Sequence, residues 1–384
     1  MAEKNDMEYL FTILMCFLLM GCQPKSSGVE NSMDVTSLSI NDIPQRPASS
    51  VLPDSVSYIC LSDSVPEALF KGIDKCLVHD GRIYIMDYLG TSSLTVFGLD
   101  GRFLFKVGKQ GNGPGEYAKV TDFDVQGDRI YLLDTSSRRI LVYSLDARFL
   151  TSYSYKDKLE GVEGLLVTDS CEFLLGMDVN LNASSQVLLT DTSFQVKKHV
   201  LSFDSRATRK HLHLSPFRRC GSRITYHYPV SDGVYLFDLS GRITHRYDIR
   251  WDHAVPETLL SDYESLSRSR KEGGVYSYFY ETPFVSRNEL ISTVFHRSVK
   301  ASLQMSLDGS FCSLYAYEPQ SMVISLSRYN FPLYADDHIV VCSLNGMMER
   351  FLDASSRSRL DDAVRSFMEE GGTVLLVYHR PTVR

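Results

Sequence analysis

The segment Gly111-Asn112-Gly113-Pro114-Gly115-Glu116-Tyr117 has the composition of a phosphate-cradling loop. Such a loop binds phosphate when GxxxxGK[ST] leads into a helix, where successive backbone N–H groups converge. Here no Lys-Ser/Thr pair follows, and the alternating apolar residues of a strand begin at once. The glycines therefore read as a hinge that supplies positive φ values, stiffened by Pro114. His211 and His213 could present two imidazoles on one strand face. Lys210 and Arg218 would repel a cation there, and no nearby acid or Cys completes a ligand set. Asp122 and Asp124, two apart on a strand, can offer two carboxylates on one face. Asn182-Ala183-Ser184 fits a glycosylation sequon, while HExxH and GxSxG do not occur. Asp336-Asp337-His338 reads as a polar turn and Glu369-Glu370 as a helix end.

The elements that must position these residues begin after a processing segment. Tyr9 to Met20 is an apolar run of about twelve residues, short for a membrane span and suited to a secretory signal. It stops at Leu-Met-Gly-Cys, which resembles a bacterial lipobox, with Cys22 as the lipidated residue. Residues 1–22 then form a lipoprotein signal peptide. Residues 23–50, rich in Ser, Asn and Pro, form a flexible tether. The expected location is the bacterial outer membrane or cell surface, held by the lipid anchor on its periplasmic or extracellular face. Six cysteines follow Cys22 without a CxxC pair. They are too sparse for a disulfide scaffold and read as buried thiols at strand positions, with one or two bridges the alternative in an oxidising compartment. The net charge of -7, without a basic block, argues against a nucleic-acid partner.

From Cys76 the chain repeats itself. His79 to Gly108 and Gln126 to Ser154 share a skeleton: Arg-Ile-Tyr, an apolar pair, Asp, a polar loop, an apolar alternation, a turn, then Arg-Phe-Leu. Tyr84 corresponds to Tyr131 and Asp87 to Asp134, each 47 residues on. A period in the forties with several short strands per unit predicts a β-propeller blade. Asp87 and Asp134 end their second strands, where a carboxylate can accept turn N–H groups. Four more eroded units follow, turning at Asp191, Ser240-Gly241, Asp308-Gly309 and after Phe331. The fold class is all-β: a six-bladed propeller over 51–384, with small helical insertions at Pro256–Lys271 and Ser358–Glu370. Val374–Tyr378 is a strand left over after the blades are counted. Pairing it with Tyr58–Leu61 would close the ring and remove open edges.

The stretch Gly108 to Leu150 resembles an NHL-type propeller repeat. More closely, "GNGPGEY", "DGVYLFDLSGRITHRYDI" and "EEGGTVLLVYHR" resemble the six-bladed β-propeller lipoproteins of Bacteroidetes, over about residues 50–380. That resemblance implies fold and location, and little about activity. The loops between second and third strands, and the linkers between blades, share one face of a propeller. They would carry Tyr88, Lys109, Glu116, Tyr117, Arg138, Asn180, Asn182 and His296 as candidate ligand-binding residues, a mix of aromatic and polar groups. The expected function is a non-catalytic binding or scaffold module engaging a protein or glycan of the cell envelope, with no catalytic residue, metal or cofactor. The alternative is a lactonase-like hydrolase or lyase with Ca²⁺ in the central channel. That site would need carboxylates from several blades, Asp122 and Asp124 among them.

Overall fold

The computed structural model describes residues 33–46, 55–178, 185–203, 215–228, 230–260, 262–317 and 324–381. Six antiparallel sheets stand around one axis, each sending its first strand to the centre. Blade 1 comprises Lys75–His79, Arg82–Asp87, Ser93–Gly98 and Phe103–Lys106. Blade 2 comprises Asp122–Gln126, Arg129–Asp134, Arg139–Ser144 and Phe149–Ser154, and blade 3 Val162–Val167, Phe173–Met177, Ser185–Thr190 and Val196–Ser202. Blade 4 runs Phe217–Cys220, Arg223–His227, Gly233–Asp238, Ile243–Arg250. Blade 5 breaks its inner strand into Tyr278–Phe279 and Phe284–Ser286, both paired with Glu289–His296, before Val299–Ser306 and Cys312–Ala316.

The second strands are buried on both faces, because each blade stacks against the next. Ile83, Tyr84, Ile85 and Met86 are all inaccessible, and so are Ile130, Leu132 and Leu133. Both faces must then be apolar, which is why these strands read as continuous apolar runs. The outermost strand Phe149–Ser154 alternates half-buried and exposed residues instead.

Blade 6 closes the ring. Its inner strands Pro332–Ala335 and Ile339–Asn345 are followed by Thr373–His379, and the outer place is taken by Ser55–Leu61. Val56 stands opposite Tyr378 and Cys60 opposite Val374, as the pairing of the two chain ends requires. The outer strand Ser55–Leu61 thus covers the edge that Thr373–His379 would otherwise expose.

Three details depart from the sequence expectation. Asp34–Ser39, placed within the 23–50 tether, is a strand pairing in parallel with Ile243–Arg250 of blade 4. Leu38, Ile40 and Ile43 go into the core beside Trp251 and Leu303, and that burial orders an otherwise polar stretch. The helix expected over Ser358–Glu370 is two helices, Ala354–Arg359 and Asp362–Glu369. Leu360 is extended, and the Asp361 carboxylate accepts from Val364 N at 2.7 Å, starting a new helix. At Pro256–Lys271 a 3₁₀ turn Glu257–Leu259 precedes the helix Tyr263–Lys271.

Removing residues 373–384 strips blade 6 of the strand between Ile339–Asn345 and Ser55–Leu61. The lost burial and two ladders amount to several kcal/mol, on the order of a domain's whole stability. A cooperative melt should vanish in the truncated chain. A melt at the full-length temperature would mean the ring closes elsewhere.

Candidate functional site

The inner strands bring charged residues from four blades to the axis. Lys75 opens the inner strand of blade 1 and Asp122 that of blade 2, and their side chains meet at 2.7 Å. The Lys75 ammonium also donates to Phe123 O at 2.6 Å. Asp122 accepts from Leu165 N of blade 3 at 2.9 Å and from the Ser215 hydroxyl at 2.8 Å. One turn of the alternation further on, Asp124 accepts from Val167 N at 2.8 Å. It also takes Arg219 of blade 4 in a fork, with Nη2 at 2.6 Å and Nε at 3.2 Å. Asp122 and Asp124 are almost wholly inaccessible. A buried carboxylate is tolerable only when paired and hydrogen-bonded, and these two are.

The axis is therefore sealed by ion pairs. The oxygens that a Ca²⁺ would need are already held by Lys75 and Arg219, so the residues present do not fit that ion. Among the described residues no group of three or more His, Cys, Asp or Glu side chains could hold a metal. Cys76 and Cys220, beside the axis, are buried free thiols whose pKa burial pushes up to about 12. They are neutral and unreactive at neutral pH. Nothing local in the sequence marks Lys75, Arg218 or Arg219 as axial. Their only signal is the position of each at the start of an inner strand.

The long connections all lie at one end of the ring. They are the second-to-third-strand loops, such as 88–92 and 135–138, and the linkers, such as 107–121 and 251–277. The opposite end carries short hairpin turns, as at Asp80-Gly81 and Asp146-Ala147. On the long-connection face, blades 1 and 2 gather most of the candidates. Lys119 Nζ sits 3.7 Å from the Tyr88 ring centroid, and Leu89 beside it is 69% exposed. Lys109 pairs with Glu116 at 3.0 Å, and exposed Arg138 faces Glu160 at 3.8 Å.

The Gly-rich loop holds a carboxylate, and it is its own. Gly113 N donates to Glu116 Oε2 at 2.8 Å, and that bond, with help from Lys109, holds the Glu116 carboxyl below its ordinary pKa. A Cβ on Gly111 would lie 2.0 Å from the same oxygen. Gly115 has φ +72°, and its missing Cβ would meet Phe149 at 2.8 Å. Gly113, also expected at positive φ, is not. The hinge reading stands, with Glu116 filling the concavity that phosphate would need.

Two candidates change character. Tyr117 is 2% exposed and packs in the core between blades 1 and 2, because the strand alternation that resumes after Gly115 turns it inward. It is a packing residue, not a loop-face residue. His296 lies on blade 5, away from the Tyr88 group, and burial lowers its pKa. Its Nδ1 is 3.4 Å from Ser277 Oγ and 4.0 Å from Asp252 Oδ1. These residue types can form a hydrolytic triad, but Ser277 is fully buried and donates directly to Asp252 at 3.2 Å. Asp252 is further held by Arg297 at 2.8 Å. The cluster fastens the linker to the blade. Cys22, Asn180, Asn182, His211 and His213 lie outside the described residues.

Six blades, one sealed axis and one face of long connections define a six-bladed β-propeller. A family model described as "Domain of unknown function (DUF4934)" matches residues 35–342, and the chain belongs to that family. A Bacteroides fragilis protein described as exported superposes with a TM-score of 0.69 at 16% identity, over 90% of this chain and 100% of its own. A DUF4221 family member from Bacteroides vulgatus gives a TM-score of 0.51 at 9% identity, over 86% and 97%. Both share the fold. No curated protein matches the sequence.

Near the axis Glu163 of blade 3 has its pKa raised to about 8, first by burial and then by the Asp178 charge. The folded protein then holds a proton that the unfolded chain releases near the ordinary carboxylate pKa. The stability it contributes is present at low pH and is lost as pH rises through about 8. Thermal melts of Glu163→Gln and wild type should coincide near pH 4, draw apart progressively as pH rises towards about 8 and keep a constant gap beyond it, with the variant the more stable. Parallel curves up to pH 9 would place Glu163 in water.

Proposed function

We propose that this chain is a non-catalytic, lipid-anchored envelope protein whose propeller binds a protein or glycan through its long-connection face. The observation that carries this reading is the ion-paired axis. Lys75–Asp122 and Arg219–Asp124 occupy the channel where a propeller enzyme would hold substrate or metal, so recognition falls to the exterior. On that exterior, Tyr88, Leu89, Lys119, Lys109 and Arg138 combine exposed apolar surface with charge, the composition of an interface rather than of a solvated loop. The exported description of the Bacteroides fragilis neighbour and the Leu-Met-Gly-Cys segment both support an envelope location with Cys22 as anchor.

Two measurements in the native host test the two halves. Cys22→Ala should move the protein out of the carbonate-washed membrane fraction; retention there removes the anchor. A photo-crosslinking residue at Leu89 should yield a discrete adduct, and one at Asp146, 81% exposed on the short-turn face, should not. Equal adducts, or adducts only at Asp146, would overturn the choice of face.

A further inference from the structure

The strand Asp34–Ser39 is a stem fixed to the rim of the ring. It adds a fifth strand to blade 4, parallel to Ile243–Arg250, with Asp34 opposite His245. That register sets its exposed N-terminal end just past the short turn at Ser240-Gly241. Thr36 Oγ1 and His245 Nε2 lie 2.9 Å apart across the pair. The chain then stays with the short turns. Buried Leu38 reaches the next one, Asp308-Gly309 of blade 5, where a Cβ on Gly309 would lie 3.8 Å from its Cδ2. Ile40 N donates to Arg250 O at 3.1 Å. Just after the blade 5 turn, Cys312 N donates to Pro44 O and Arg46 N to Cys312 O, both at 2.8 Å. Residues 34–46 are thus bonded to blades 4 and 5 and move with the propeller as one body.

We propose that this stem orients the propeller on the bilayer: the short turns of blades 4 and 5 face the lipid, and the long-connection face is presented away from it. The inference rests on Cys22 being the anchor, as proposed above. With the stem docked, only residues 23–33 separate Cys22 from Asp34. That connection reaches at most about 40 Å, however it is arranged. A connection running over 23–50 would reach at most about 100 Å and would leave every orientation open. The strand Ile243–Arg250 alone spans about 25 Å from the short-turn end to the long-connection end. Turning the long connections to the lipid would make the connection cross that depth and the linkers beyond it, close to full extension. A chain so extended has few conformations left, and that loss of entropy disfavours the orientation. With the short turns towards the lipid the connection stays slack.

The test uses full-length protein purified from the membranes of its native host and inserted into vesicles of phosphatidylethanolamine and phosphatidylglycerol that carry a headgroup energy acceptor. A donor fluorophore is attached through an azide-bearing residue in place of Ser240, exposed on the short turn, or of Leu89, exposed on the long-connection face. Quenching at Ser240 should exceed quenching at Leu89 severalfold. Equal quenching, or stronger quenching at Leu89, overturns the orientation. Flotation with the vesicles reads the anchor separately. Protein that does not float removes the anchor and the orientation together, whereas protein that floats with equal quenching removes the orientation alone. Inserting about twenty Gly and Ser residues between Met33 and Asp34 lengthens the connection without touching the propeller. The difference between the two positions should then shrink. A difference that persists undiminished would mean that the short connection to the stem does not set the orientation, and would contradict the proposal.

Discussion

Two aspartates on one strand hold four blades in register. Asp122 of blade 2 is bonded at once to Lys75 of blade 1, to a backbone amide of blade 3 and to Ser215 at the entry to blade 4. Asp124, two residues on, repeats the pattern with Val167 N and Arg219. Apolar packing between blades is non-directional and tolerates small slips. Charge-assisted bonds at the axis do not, because a displaced strand would strand a buried charge at a cost of several kcal/mol. The sheets pack by hydrophobic burial, and the axis fixes where each inner strand stops.

That arrangement decides what the rest of the surface can do. An axis filled from within leaves the two ends of the ring as recognition surfaces, and they are unequal. One end has tight turns whose Asp residues bond their own backbone, as Asp191 and Asp238 do. The other carries the linkers and helices, with Leu89 exposed next to a Lys119–Tyr88 stack. Asp87 and Asp134 rigidify this second end. Asp87 accepts from Lys71 N, Gly90 N and Thr91 N, so it pins both its own loop and the preceding linker. Asp134 does the same with Ala118 N and Ser137 N.

The blades were legible because their hairpins are local: the Arg-Ile-Tyr strand, the closing Asp and the Asp-Gly turn lie within one repeat. Ring closure was legible too, since Val374–Tyr378 had no partner within the last repeat. The axial site was not. Asp122 and Asp124 stood out as paired carboxylates, but Lys75 lies 47 residues from Asp122 and Arg219 lies 95 from Asp124. Only the closed ring makes them neighbours, and their arrival turns a candidate metal site into an ion-pair seal. Tyr117 follows a Gly-rich loop that suggests the surface, but the strand alternation governs its direction and turns it into the core. The strand Asp34–Ser39 was hidden by polar composition, although the spacing of Leu38, Ile40 and Ile43 carried the signal of a buried edge.

The sealed axis can be read amide by amide. Leu165 N and Val167 N donate to the buried Asp122 and Asp124 carboxylates, so their exchange with solvent reports directly on the seal. Hydrogen exchange resolved over residues 162–167 should show these amides opening only with global unfolding, among the slowest in the protein. Exchange within minutes under native conditions would mean water reaches the axis freely, and the ion-paired core of this account would be wrong.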